Sequence, residues 1–348
     1  MLGSSKEALP KVRFAVVGCG HIGARHSEKI VEDAGAELVA QCDIRPKGET
    51  RVTNKYPDVP FFDSVEALIT SGIRCDIASV CVPNGRHAEV AARLIEAGMH
   101  VLIEKPIVLR LEDGEWLRQL AQKHGRRIYG VLQNRYSPTA RWLKETITSG
   151  ALGEIYTIQM QCLWNRDERY YLPRDWHGTA DLDGGTLYTQ YSHFLDLLLW
   201  TLGEIEVQGA EFANHAHRGM IDFEDTGLIR FRLMRGGEGS LFYSTAVYGQ
   251  NMEVNLTILA EHGAIKLGGT YLNRLEHCCI RGVERPRGLT SPEGNDYGGY
   301  SGSAQNHHHV IASVVADLRG EEAEISTLDE GLAVVRLIQS IYKHKNNS

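Results

Sequence analysis

The 348-residue sequence predicts an α/β chain in two parts. Residues 1–132 read as a doubly wound parallel sheet, and residues 133–348 as an α+β domain with a large, mostly antiparallel open sheet. Three observations carry this. Val12 to Gly23 is a buried-strand run, Phe14-Ala15-Val16-Val17, passing through a glycine turn into a helix over 22–30. Strand and helix signals then alternate as far as Val131, the pattern of a parallel sheet covered on both faces. Beyond Val131 the alternation stops and strand signals follow one another.

The turn Gly18-Cys19-Gly20-His21-Ile22-Gly23 has the spacing G-x-G-x-x-G between a strand and a helix, which makes it an anion site. Gly18 allows the tight turn, Gly20 admits a pyrophosphate to the backbone, and Gly23 lets helix and strand pack closely. The second strand, over 38–43, ends in Asp43, about 20 residues beyond the loop, where a carboxylate accepts hydrogen bonds from an adenosine ribose. Such a carboxylate repels a 2′-phosphate, so NAD is favoured over NADP. Arg45 could bind that phosphate, and Asp43 could equally be a turn residue at a strand end.

The rest of the first half follows in order. A short helix over 65–71 precedes a buried strand over 77–82, stopped by Pro83-Asn84-Gly85. A helix over 87–97 presents Val90, Ala91, Leu94 and Ile95 on one face and ends at Gly98 as its C-cap. A strand over 100–104, Pro106, a helix over 111–124 and a strand over 128–131 complete the half. In open parallel sheets, ligands collect at the carboxyl ends of strands. That brings together residues 19–22, Asp43, Pro83-Asn84, 104–106 and 133–135. The expected cofactor residues are Gly18, Gly20, His21, Ile22, Gly23, Asp43, Arg45, Pro83, Asn84, Glu104, Lys105 and Gln133.

In the second half, a helix over 138–149 has Pro138 in its first turn and Gly150 as cap. Strands are expected over 155–164, 205–213, 226–233, 239–247, 253–259 and 264–267, with helices over 186–200, 304–318 and 328–344. Residues 268–303 read as one long glycine-rich loop, functional or mobile. On the 186–200 helix, Leu187, Tyr191, Phe194, Leu195 and Leu198 form an apolar stripe. Thr189, His193 and Asp196 lie opposite it at i, i+4 and i+7, so His193 can point into a cleft between the domains, or be a satisfied core or solvent-exposed histidine.

These segments resemble the Gfo/Idh/MocA oxidoreductase family in three places: Gly18 to Gly23, Val82-Pro83-Asn84-Gly85-Arg86-His87, and Glu104-Lys105-Pro106. The resemblance covers most of the chain. It implies a Rossmann-type first domain, His87 as a further cofactor residue, a cis peptide before Pro106 that aims Lys105 at the cofactor, and a catalytic helix carrying His193. Many members have Asp or Asn four residues before that histidine, where this chain has Thr189. Lys105 and His193 are the expected catalytic pair for hydride transfer from a secondary alcohol, and sequence leaves open which takes the proton. Gln133 to Pro138, Trp164 to Arg166 and Gly185 to His193 are similar to segments of nucleotide-sugar dehydrogenases of lipopolysaccharide sugar synthesis. That likeness implies oxidation of the 3-hydroxyl of UDP-N-acetylglucosaminuronate. Arg135, Tyr136, Trp164, Arg166, Thr189 and His193 are then the expected substrate residues. A dehydrogenase of a free sugar or cyclic polyol, NAD-dependent glycoside hydrolysis, and a non-enzymatic NAD-binding regulator are the alternatives.

Composition narrows the classes. A net charge of −7 argues against nucleic-acid binding, and the most apolar helix, near 194–200, contains Asp196 and is too short to span a bilayer. The start, Met1 to Lys6, lacks the apolar core of a signal peptide. Seven scattered cysteines with no C-x-x-C pair fit a reducing cytoplasm and no metal, and Cys278-Cys279 reads as two free thiols. Consecutive histidines 307–309 diverge by about 100° around a helix, so they do not share one ion and are expected to contact substrate or solvent. Arg166, Arg169 and Arg174 sit in an aromatic loop that either is solvated or meets an anionic substrate. Assembly into a homodimer or homotetramer through the open face of the second sheet is expected.

Overall fold

A computed structural model describes residues 9–172, 175–295 and 300–344. The chain opens with β1 (Val12–Val17), α1 (His21–Glu32), β2 (Ala36–Cys42), α2 (Arg51–Lys55), β3 (Phe61–Phe62), α3 (Val65–Thr70) and β4 (Ile77–Val80). It continues with α4 (His87–Glu96), β5 (His100–Ile103), α5 (Leu111–His124) and β6 (Ile128–Gly130). The six strands form one sheet in the order β3-β2-β1-β4-β5-β6, every pair parallel. Phe14, Ala15 and Val16 have no exposed surface, as expected of a central strand covered on both faces. Strand order reverses between β1 and β4, which places a crevice at their carboxyl ends, beside the glycine turn.

The second half begins with α6 (Pro138–Thr148), β7 (Ile155–Leu163) and the short α7 (Glu168–Tyr171). A π-helical turn, Leu187–Tyr191, then leads into α8 (Ser192–Leu202). Next come β8 (Ile205–Ala213), β9 (Thr226–Leu233), β10 (Glu238–Ser244), β11 (Glu253–Ala260), β12 (Gly263–Gly268) and β13 (Arg274–Ile280), before α9 (His307–Leu318) and α10 (Leu328–Lys343). The seven strands are ordered β13-β12-β11-β7-β10-β9-β8 and pair antiparallel except β7 with β10. One face of this sheet buries Ile158, Met160, Phe231, Tyr243, Leu256 and Ile258, in a core shared with Leu187, Tyr191, Phe194, Leu195 and Leu198. The other face carries Gln159, Leu228, Arg230 and Arg232, all exposed.

Two features depart from the sequence reading. The expected loop 268–303 contains β13, an edge strand. Its residues alternate poorly between buried and exposed, which hides it from a period-two search. The expected single helix over 186–200 is a π-turn followed by α8. The closing helices also return to the first sheet. Val310, Ile311, Val314 and Val315 of α9 pack in one core with Phe14, Val16 and Ile30. Among the described residues, no helix is long and apolar enough to cross a membrane. All seven cysteines are free.

Candidate active site

The glycine turn forms a cradle for a dinucleotide. Gly18 has φ +94°, and a Cβ there would lie 2.4 Å from the Cys81 carbonyl oxygen; a Cβ on Gly23 would lie 1.9 Å from the Gly18 oxygen. Both glycines therefore permit close packing of α1 on β1 and β4. Gly20 differs: a Cβ there would meet only Arg45 Nη2, at 3.8 Å, so the space above it is open. Gly20 is also the N-cap of α1, with no side chain capping the helix, which leaves the first amides, at His21 and Ile22, facing that space. The Asp43 carboxylate closes one side. Its Oδ2 accepts from the Cys19 amide at 2.6 Å, and both oxygens accept from the Arg45 guanidinium at 2.8 and 3.0 Å. Burial opposes its charge, but the Arg45 and backbone bonds outweigh it and hold the carboxyl below its usual range. An open cradle, an uncapped helix start and an ionised acid fit a pyrophosphate and its ribose.

The segment between β5 and α5 supplies the next group. The Lys105–Pro106 bond is cis. Lys105 Nζ donates to the Thr189 carbonyl oxygen at 2.7 Å, crossing from the first domain to the π-turn of the second. A π-turn opens the regular i→i−4 ladder of a helix, and such turns recur at functional sites. One residue-turn on, His193 is buried, with Nε2 at 3.1 Å from Gln133 Nε2. Its Nδ1 has no partner among the described residues. Burial, then the Lys105 charge, hold His193 well below the ordinary imidazole value, so its ring is neutral. Burial also lowers Lys105, against the opposing charges of Glu104 and Asp183. Thr189, His193 and Asp196 bond Asn84, Gln133 and Arg135, which follow the ends of β4 and β6, although a π-turn and not one regular helix places Thr189 there.

Behind Lys105 lies a buried acid with two imidazoles. Glu104 Oε1 is 2.9 Å from His26 Nε2 and 3.4 Å from His307 Nε2, while Oε2 accepts from the Lys105 amide at 3.0 Å. Burial works against the Glu104 charge, yet these hydrogen bonds hold it well below the usual carboxylate range. The residue types would suit a metal; in this structure His26 is at hydrogen-bond distance from the Glu104 carboxylate, and His307 lies beside the same oxygen. His307 therefore departs from the expectation for 307–309: it is buried against Glu104, and only His308 and His309 are exposed. His87 sits between the Pro106 and Val82 carbonyls at 2.8 and 3.0 Å, pinning the Pro83-Asn84 turn to the lysine segment. Asn84 turns to the second domain and donates to Thr189 Oγ1 and to the Asp183 carbonyl.

The arginines expected at an anionic substrate lie elsewhere than in an open cleft. Arg135 is buried, and its guanidinium is committed to Asp196 at 2.6 Å and to Glu330, which also forms the capping box of α10. Tyr136 points away, donating to the Glu324 carbonyl at 2.6 Å and stacking on His309. Arg166 is buried in a box of Trp164, Tyr170 and Tyr300, 4.9 to 5.3 Å from the ring centres, and donates to Gln190 Oε1 at 2.6 Å. Trp164 donates to the Thr270 carbonyl at 2.9 Å and packs edge-on against Phe194. Arg169 is exposed and paired with Asp167, and Arg174 lies outside the described residues. Sequence reading missed Asp183, the buried acid that accepts the Thr189 hydroxyl. The signal available was its place beside Gly184-Gly185.

Known proteins resemble this chain in sequence and fold. Residues 12–132 match the family model described as "Oxidoreductase family, NAD-binding Rossmann fold" (GFO/IDH/MocA), and residues 140–266 match the GFO/IDH/MocA C-terminal domain. The WlbA dehydrogenase from Bordetella pertussis, solved with NADH and UDP-GlcNAcA, is 31% identical with a TM-score of 0.86, covering 97% of both chains. The WlbA of Chromobacterium violaceum, solved with the same ligands, is 29% identical at 0.86, covering 98% of this chain and 97% of that one. The D-glucoside 3-dehydrogenase of Escherichia coli is 30% identical over 196 residues; the match covers 55% of this chain and 54% of that enzyme, about half the length of each.

Proposed function

Because the chain belongs to the Gfo/Idh/MocA family of oxidoreductases and has NAD as its cofactor, we propose that it oxidises the 3-hydroxyl of a UDP-N-acetylglucosaminuronate-type nucleotide sugar. The observation that carries this is the reach of Lys105 across the domain boundary to the Thr189 carbonyl, four residues before the buried His193, in a chain that is alike over its whole length to dehydrogenases bound to that sugar. When bound, NAD supplies the acceptor for the hydride that leaves carbon. Gly18 to Gly23 would hold its pyrophosphate and Asp43 its ribose. The neutral imidazole of His193 can take the hydroxyl proton once the sugar hydroxyl replaces the Gln133 amide at its Nε2 lone pair, and Lys105 donates a hydrogen bond to the oxygen as negative charge grows on it. Gln133 orients the imidazole, and burial keeps water from it.

A 3-keto nucleotide sugar is ready for amination, which fits a step in lipopolysaccharide sugar synthesis. Seven free cysteines fit a cytoplasmic enzyme. The uncovered sheet face bearing Leu228 and Arg230 is where a second copy would sit, as a homodimer or within a homotetramer. A free glycoside is the second reading, favoured by the Escherichia coli relative and by the commitment of Arg135 to its own carboxylates. Incubation with each sugar while following NADH absorbance separates the two. The nucleotide sugar should reduce the cofactor, and glucose and myo-inositol should not. If a free hexose turns over and the nucleotide sugar neither binds nor reacts, the second reading replaces the first. An added oxidant covers the case of a cofactor that does not exchange.

A further inference from the structure

Asp183 is a fully buried carboxyl with no cation bonded to it among the described residues. Its Oδ1 accepts the Thr189 hydroxyl and its Oδ2 accepts the Gly178 amide at 2.7 Å. Asn84, reaching over from the first domain, donates to the Thr189 hydroxyl oxygen at 2.8 Å and to the Asp183 carbonyl at 2.9 Å. Lys105 Nζ has a single hydrogen-bond partner among the described residues, the Thr189 carbonyl at 2.7 Å. One residue, Thr189, thus takes the acid on its side chain and the ammonium on its backbone. A buried charge without a partner is costly, and here two opposite ones are placed on either side of the same residue. Closing the turn at Gly178 explains only one oxygen of the carboxyl, and a neutral amide could do that as well.

We propose that Asp183 is the positioning residue for Lys105: through the Thr189 hydroxyl and Asn84 it fixes the carbonyl that holds Nζ, and its negative charge, added to that of the adjacent Glu104, favours the ammonium form of Lys105. The proposal rests on Lys105 being the group that meets the sugar hydroxyl. It assigns the second domain a share in setting the charge of a first-domain lysine. Burial pushes the Asp183 carboxyl up to about 6, with the Thr189 bond and the Lys105 charge acting against that rise, so the group is ionised at neutral pH.

The test reads Lys105 itself. Trace acetic anhydride labels amines in proportion to their unprotonated fraction, and mass spectrometry of the Lys105 peptide over about pH 6 to 11 gives its midpoint. In the full-length Asp183→Asn protein the midpoint should fall by about one pH unit. Thr189→Val, which removes only the hydroxyl link, should move it in the same direction by less, and Thr189→Ser should hold it at the wild-type pH. NAD affinity by calorimetry should stay within about threefold, since neither residue touches the glycine cradle. An unchanged Lys105 midpoint in folded Asp183→Asn overturns the proposal. If that variant does not fold, an unchanged midpoint in Thr189→Val overturns it instead. No sugar is needed, so a nucleotide sugar that fails to react counts against the proposed substrate and not against Asp183.

Discussion

Lys105 is half-buried and His193 buried, and burial lowers both, yet the proposed reaction asks opposite things of them: the lysine must keep its proton and the histidine must stay without one. If both act on the hydroxyl, Lys105→Met and His193→Asn should each lower turnover by about 10²- to 10⁴-fold, with NAD affinity by calorimetry near wild type. A His193 variant with normal turnover would return that residue to a core role. Asp183 gives a pH prediction in stability. Its folded-state pKa of about 6 lies above the ordinary 3.8, so the fold favours its neutral form. The stability this contributes is complete below the ordinary value and is lost as pH rises through the folded one. Asp183→Asn, which does not titrate, should therefore gain on wild type between about pH 4 and pH 7, by on the order of 3 kcal/mol in denaturant unfolding. A constant difference across that range would place the carboxyl in water. Lys105 and His193 were legible in the sequence because each sits in a segment with local spacing rules. Asp183 was not, since its partner Thr189 is brought to it by a π-turn that no periodicity announces.

The glycine turn and the first helix separate folding from binding in a way two substitutions can read. Gly20→Val adds a side chain to open space, so melting temperature should hold while NAD affinity falls at least about 100-fold by calorimetry. Gly23→Ala drives a methyl into the Gly18 carbonyl, so that variant should lose stability even without cofactor. Equal NAD binding by Gly20→Val and wild type would remove the cradle from the pyrophosphate. The turn Gln133–Tyr136 carries a third prediction. Arg135 joins α8 to α10 through Asp196 and Glu330, and Arg135→Ala leaves the buried Asp196 carboxylate alone. Breaking such a pair costs about 3–5 kcal/mol, measurable by urea unfolding. The first half was readable nearly strand by strand, because parallel strands buried on both faces are continuous apolar runs. The π-turn and β13 were not. One differs from an α-helix by a single residue per turn, and the other is an edge strand with little to bury.

The two sheets are joined by more than the chain between them. Asn84, Lys105, Gln133 and Glu104 of the strand ends all bond residues beyond 180, so the site exists only when both halves are in place. NAD should therefore stabilise the entire chain in one transition, by about 2.7 kcal/mol at 100 times its dissociation constant. Two separated transitions in calorimetry, only one of them moved by NAD, would contradict that. The fold class and sheet count were legible from the sequence, but not the return of α9 to the first sheet, because an apolar helical stripe does not name the surface it covers. That return has a consequence for synthesis. On the ribosome, β1 to β6 are complete some 180 residues before α9, a wait of roughly 10 to 40 s at ordinary elongation rates. Until then the face of the sheet lined by Phe14 and Val16 has no α9 to cover it. Chains stalled near residue 200 should be cut by protease within the first half, and chains released after residue 344 should not. The nucleotide-binding half is thus the first to be made and among the last to be finished, a natural client for a chaperone that shields apolar sheet faces.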